Sequence, residues 1–142
     1  MIRYCQYFLV GLTLFISDSC KKEDVIPNVY VHEEIYLSDP ANVNLNAVGG
    51  WIYSSGGVRG IIVYRKSNDE FLAYERNCTY KPSNDCAKVS VDASNIVAVD
   101  TCCDSKFQLL DGSVSDGPAS YSLKQYTASY DPALSKLTIH ND

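Results

Sequence analysis

The stretch DTCCDSKFQLLDGSVSDGPA, residues 100–119, decides how the rest of the chain is read. Two adjacent cysteines, Cys102 and Cys103, open it. Residues 106–109 then read as a short strand, and Asp111-Gly112-Ser113 behind them is a hairpin signal, because Asp and Ser bond neighbouring backbone and Gly accepts left-handed geometry. The same punctuation continues outward, with Val, Ile, Tyr and Phe segments separated by Gly, Asn, Asp, Ser and Pro clusters. It predicts strands over residues 28–37, 48–53, 60–65, 70–75, 88–91, 95–99, 106–109, 122–130 and 136–140. Ser67-Asn68-Asp69 and Asp92-Ala93-Ser94 mark two further turns. No window holds a sustained helical repeat. The expected class is all-β, a small sandwich or barrel of about nine short antiparallel strands. Alternate strand residues, such as Ile62 and Val63, should then divide between core and outside. The eleven tyrosines fit half-buried strand positions with the ring packed and the hydroxyl at the surface. A sugar- or ligand-stacking face would need several of them on one side of one sheet.

The 142 residues, 46% hydrophobic and 20% charged, suffice for one cored domain and are too few for two. Twelve basic against seventeen acidic residues leave a net charge of −5. With no stripe of Lys or Arg to offset it, that charge repels phosphate backbones and speaks against a nucleic-acid partner.

Residues 1–19 read as an export signal. Arg3 precedes the apolar run YFLVGLTLFI at residues 7–16, and small and polar residues lead on to Cys20. The run is well short of the roughly 20 residues that cross a bilayer. Ser19-Cys20 resembles the end of a bacterial lipoprotein signal, which implies a lipidated Cys20 and anchoring in the bacterial outer membrane or at the cell surface. Lys21, Lys22, Glu23 and Asp24 are similar to the charged tag behind the cysteine of surface-displayed lipoproteins in some Gram-negative bacteria. As plain chemistry they form a solvated tether. The chain therefore divides into a signal at 1–19, a tether at 20–29 and an all-β domain at 30–142.

With Cys5 removed and Cys20 lipidated, Cys78, Cys86, Cys102 and Cys103 remain. An even number in an exported domain points to disulfides. Adjacent Cys102 and Cys103 cannot bridge each other without distorting the peptide between them, so two pairings stay open.

The loops around these cysteines resemble those of the Rieske iron-sulfur domain family. There, a Cys-x-His loop and a C-P-C-H-G-S-x-F loop hold a 2Fe-2S cluster, with two cysteines on one iron and two histidines on the other. In this chain NCTYKPSNDC, residues 77–86, matches the first loop: Cys78 stands at the ligand cysteine, Tyr80 at the histidine and Cys86 at a later cysteine. Anchored on Ser105 and Phe107, DTCCDSKF puts Asp100 at the second ligand cysteine, Cys102 at the non-ligand cysteine, Cys103 at the histidine and Asp104 at the glycine. Asp111-Gly112 and Gly117-Pro118-Ala119 are similar to the turn and the proline loop that close over the cluster. Leu123 and Tyr126 match the strand after it, and GVRGIIVYRKSNDEFLAYERNC, residues 57–78, the strand-turn-strand before it. The likeness spans residues 45–140. It implies a Rieske-like fold in which only Cys78 keeps a ligand's identity, and a Cys86 to Cys102 disulfide joining the loops. Cys78 and Cys103 are left at former ligand positions, where a second disulfide is expected to staple the vacated site.

Three other chemistries compete for Cys78, Tyr80, Asp100 and Cys103. A 2Fe-2S cluster with altered ligands would need Asp and Tyr oxygens, which are hard donors, in place of thiolate and imidazole. A single zinc on Cys78, Cys103 and Asp100 is chemically sensible, but lacks the close C-x-x-C or His spacing of strong zinc motifs. A redox dithiol needs a lowered thiol pKa, and Asp100 and Asp104 act the other way, offset only in part by Lys81 and Lys106. Asn77-Cys78-Thr79 fits the glycosylation pattern, coincidentally in a bacterial lipoprotein. Asp100, Asp104 and Asp111 could suggest paired carboxylates, although Asp111-Gly112 reads as a turn and Asp104 as a loop tip. His32 and His140 lie in strand segments far in sequence from both loops. The expectation is a lipid-anchored envelope protein without a cofactor, a non-catalytic interaction or accessory module with an envelope partner. Its rival is a Rieske-type 2Fe-2S or metal-binding electron carrier.

Overall fold

The computed structural model describes residues 24–141, so the signal segment, Cys5 and Cys20 lie outside the described residues. Ten strands follow in chain order: β1 (His32–Tyr36), β2 (Trp51–Ser54), β3 (Ile61–Arg65), β4 (Phe71–Glu75), β5 (Val89–Val91), β6 (Val97–Asp100), β7 (Lys106–Gln108), β8 (Val114–Asp116), β9 (Gln125–Asp131) and β10 (Lys136–His140). They form two antiparallel sheets, one of six strands in the order β1-β10-β9-β4-β3-β2 and one of four in the order β5-β6-β7-β8. One of the two curls into a half-barrel. The all-β expectation holds. The unexpected strand is β8, whose three residues bury no side chain and pair with β7 through an irregular register.

The turn signals sit where the sequence put them. Asp111 Oδ1 accepts from the Ser113 amide at 2.9 Å, and Asp92 Oδ1 from the Ser94 amide at 2.9 Å, so each carboxylate closes its own hairpin. A 3₁₀ helix, Pro40–Asn46, has no counterpart in the sequence reading. Seven residues are too few to show a repeat, yet Asp39 caps the helix through the Ala41 amide and Pro40 supplies its fixed φ. Strand starts also shift. β1 begins after Val31, because the Val31 amide bonds the Asn141 side chain at 2.8 Å. β2 begins after Gly49, whose φ of +83° turns the chain.

Two cores flank the larger sheet. Ile62, Tyr64, Leu72 and Tyr74 pack with Val89, Ala98 and Phe107 between the sheets, joined by Leu109, Ala119 and Leu123 from the loops. Ile61, Val63, Phe71 and Ala73 face the other way, onto Val31, Ile35, Leu45, Leu137 and Ile139. Ile62 and Val63 are therefore both buried, and the expected division between core and outside does not hold for β3. The strand lies inside the sheet, with a core on each face. Tyr74 and Tyr126 depart from the tyrosine pattern too, since both are buried to the hydroxyl. Exposed Tyr36 and Tyr53 stand on β1 and β2, the opposite edges of the larger sheet, and so make no shared stacking face.

Glu75, at the end of β4, is the wholly buried carboxylate that joins these parts. It accepts from the amides of Val58 at 2.6 Å, Arg59 at 2.9 Å and Asn77 at 2.9 Å, and from the Tyr126 hydroxyl at 2.6 Å. Four donors satisfy a charge that would otherwise be costly to bury. Gly57 makes room, with φ of +64° and a position where a Cβ would stand 2.3 Å from Glu75 Oε2. Glu75→Ala should lower unfolding free energy by about 3 kcal/mol or more, because it orphans several buried donors, and Tyr126→Phe by about 1–2 kcal/mol. Urea denaturation of the two variants beside the parent measures both, and near-equal losses would contradict this reading of the network.

Candidate functional site

Three loops meet at one end of the smaller sheet. The first, residues 76–88, joins β4 to β5; the second, 101–105, joins β6 to β7; the third, 117–124, joins β8 to β9. Arg59 shapes the first loop: its Nε donates to Asn77 Oδ1 at 3.2 Å, and its two terminal nitrogens donate to the carbonyls of Asn84 and Asp85. The second loop is a tight turn in which the Asp104 amide returns to the Asp100 carbonyl at 2.7 Å and Asp104 takes φ of +61°. The third loop packs onto the second at Gly117, where a Cβ would lie 2.5 Å from Ser105 Cα and φ is +97°. Only glycine permits that approach.

Cross-links hold the loops together. The Cys86–Cys102 disulfide joins the first to the second, with 5.7 Å between the Cα atoms. Thr79 Oγ1 donates to the Tyr121 carbonyl at 2.6 Å, and the Ala119 amide to Ser105 Oγ at 3.1 Å. The Cys78 to Cys103 bridge expected from the sequence is not formed. These sulfurs lie 3.9 Å apart as free thiols, and the single proton of Cys103 Sγ has two acceptors within reach, Ser105 Oγ at 3.1 Å and Asp100 Oδ2 at 3.4 Å.

Cys78 and Asp100 are fully buried, Cys103 is partly exposed, and the ligating atoms of the three lie within 4.8 Å of one another. Asp100 Oδ1 accepts from the Cys102 amide at 2.7 Å, and Cys78 Sγ from the Tyr80 amide at 3.5 Å. Tyr80 itself packs its ring on the inter-sheet core. Burial first, and Asp100 second, push the Cys78 thiol well above the ordinary range. Such a shift acts against the attacking thiolate that a redox dithiol needs.

The remaining sequence candidates disperse. Asp104 is exposed and Asp111 is tied to Ser113, whose hydroxyl and amide hold its carboxyl below the usual range, so they build no carboxylate pair with Asp100. Lys106 pairs with Asp116 at 3.3 Å and Lys81 lies over the Tyr80 ring, so both cations have other partners. Asn77 is buried and bonded to Arg59, which closes the glycosylation reading. His32 and His140 are register partners on β1 and β10.

Sequence reasoning missed Glu75, although its place in the apolar run FLAYE was a signal. The sequence reads residues 20–29 as a solvated tether, of which residues 20–23 lie outside the described residues. Residues 24–29 instead lie on the domain: Asp24 accepts from Ser83 Oγ at 2.8 Å, Asn141 donates to the Val29 carbonyl at 2.6 Å, and Asp24, Val25 and Ile26 line a groove of about 470 Å³ with Thr79, Pro82 and Tyr121. No family model matches this chain, and no curated protein matches its sequence.

The raised Cys78 thiol makes stability fall in alkali. Above the ordinary thiol pKa the unfolded chain sheds this proton while the folded chain keeps it, so the folded state binds more protons and loses stability as pH rises. Buried Tyr74 and Tyr126, also raised, add their own loss only from about pH 10. Urea midpoints of metal-stripped protein should therefore drop between about pH 9 and 10 in the parent and stay level there in Cys78→Ala. A level parent curve would refute the buried thiol.

Proposed function

We propose that this protein is an exported, lipid-anchored module of Rieske-like all-β fold, whose loops form a rigid, non-catalytic platform in an envelope assembly. The observation that carries the reading is the state of Asp100. This residue, matched to a ligand cysteine of the family, is buried with its two oxygens bonded to the Cys102 amide and the Cys103 thiol. A group so engaged is a structural part of the loop framework. The left-handed Asp104, at the family's glycine position, and the closure of Gly117 onto Ser105 support the resemblance.

The anchored orientation follows from the N-terminal segment. Asp24 contacts Ser83 in the first loop, and the four residues from Cys20 to Asp24 reach at most about 14 Å. A lipid on Cys20 would hold the loop end of the domain near the bilayer surface.

The electron-carrier rival needs four donors spread over two irons. Cys78, Asp100 and Cys103 instead crowd within 4.8 Å, a spacing suited to one ion. When the full chain is expressed in a Gram-negative host with iron supplied, the membrane fraction should carry a fatty-acyl label on Cys20. Cys20→Ser should lose the label and release the protein. Colourless protein is expected in both cases. Unlabelled parent protein would reject the anchor, and visible absorbance with two irons and two acid-labile sulfides per chain would reject the module in favour of the carrier.

A further inference from the structure

The cysteine and aspartate nest has dimensions that the platform reading leaves unexplained. We propose that Cys78, Asp100 and Cys103 bind a single thiophilic divalent ion of the zinc class, which locks the first loop to the second. The proposal rests on the positions of these side chains and needs neither the lipid anchor nor the family resemblance.

Around a tetrahedral zinc, with Zn–S of about 2.3 Å and Zn–O of about 2.0 Å, two sulfurs stand about 3.8 Å apart and a sulfur and an oxygen about 3.5 Å apart. The nest has 3.9 Å between the sulfurs and 3.4 Å between Cys103 Sγ and Asp100 Oδ2. Both of these edges match, and the third, from Cys78 to Asp100, lies within 4.8 Å. Two thiols and a carboxylate also form a donor set that favours zinc over magnesium or calcium, which prefer oxygen alone.

Outer contacts orient the donors as a metal site requires. The Tyr80 amide points at Cys78 Sγ, and the Cys102 amide holds the Asp100 oxygen that does not face Cys103. Ser105 Oγ already accepts from the Ala119 amide, so its hydroxyl proton is free to turn toward Cys103 once that sulfur is a thiolate. Binding displaces both thiol protons to solvent, and the two sulfur lone pairs form the bonds to the ion. No electron is transferred. Cys103 is partly exposed, which gives the ion its entry path and leaves a fourth position open to water.

The test uses the full chain, purified in detergent under nitrogen without added reductant and stripped with a chelating resin. Titration with Co²⁺ should give one ion per chain with a thiolate charge-transfer band, and Zn²⁺ should displace it. Zn²⁺ should slow iodoacetamide labelling of the partly exposed Cys103 by about tenfold or more in peptide mass spectra, while Cys86 and Cys102 stay bridged. Asp100→Asn and Cys103→Ser should each weaken Zn²⁺ binding by at least about tenfold. The proposal is overturned by labelling rates indifferent to Zn²⁺, by a Cys78 to Cys103 disulfide in the purified chain, or by a Co²⁺ spectrum without the thiolate band. The labelling comparison needs only the parent protein, so a variant that misfolds cannot leave the question open.

Discussion

Everything at the loop end of this domain depends on the charge of Glu75 being satisfied where no water reaches it. Its oxygens take the amides that begin two segments, Val58 and Arg59 ahead of β3 and Asn77 behind β4, and they anchor β9 through the Tyr126 hydroxyl. A buried carboxylate with fewer donors would be destabilising, so the four bonds form as a set. Their consequence is positional. With Arg59 held at its backbone, the guanidinium reaches into the first loop and ties Asn77, Asn84 and Asp85, which brackets Cys78 on both sides. The loop end of the molecule is placed from the strand behind it, through the Asn77 amide and the Arg59 side chain.

Two cores divide the remaining labour. The packing of Phe107, Ala98 and Val89 against Tyr74 and Leu72 sets the smaller sheet on the larger one, and this brings the second loop to the first. The disulfide then fixes what packing has brought near. A cross-link spanning 16 residues removes conformations from the unfolded chain worth about 3 kcal/mol, yet by itself it would leave the loop tips free to rotate about one bond. The Thr79 to Tyr121 and Ala119 to Ser105 bonds remove that freedom by adding the third loop.

Much of this was legible in the residues. Turn chemistry marked the hairpins because Asp92 and Asp111 act locally, through backbone two positions away, and β3, β4 and β10 followed from dense β-branched and aromatic runs. What stayed hidden was set by distant partners. Glu75 reads as an ordinary polar end of a strand until Gly57 and Tyr126 surround it. Val31 and the start of β1 depend on Asn141, 110 positions away. From the residues alone two cysteine pairings stay open, and only the resemblance of the loops to the Rieske pattern implies Cys86 with Cys102, whereas the state of Cys78 and Cys103 turned on Ser105 and Asp100 as alternative hydrogen-bond partners. Spacing cannot rank such competitors.

That competition also separates the outcomes open to the nest. A divalent ion that displaces two thiol protons leaves the net charge of the nest unchanged, so surroundings that tolerate the first state tolerate the second. A disulfide keeps that charge too, but takes the thiol donor away from Asp100 and leaves one oxygen of a fully buried carboxylate without its partner. An ion replaces the lost donor with a stronger one. The buried position of Asp100 thus weighs against simple oxidation of Cys78 and Cys103 and in favour of a cation between them.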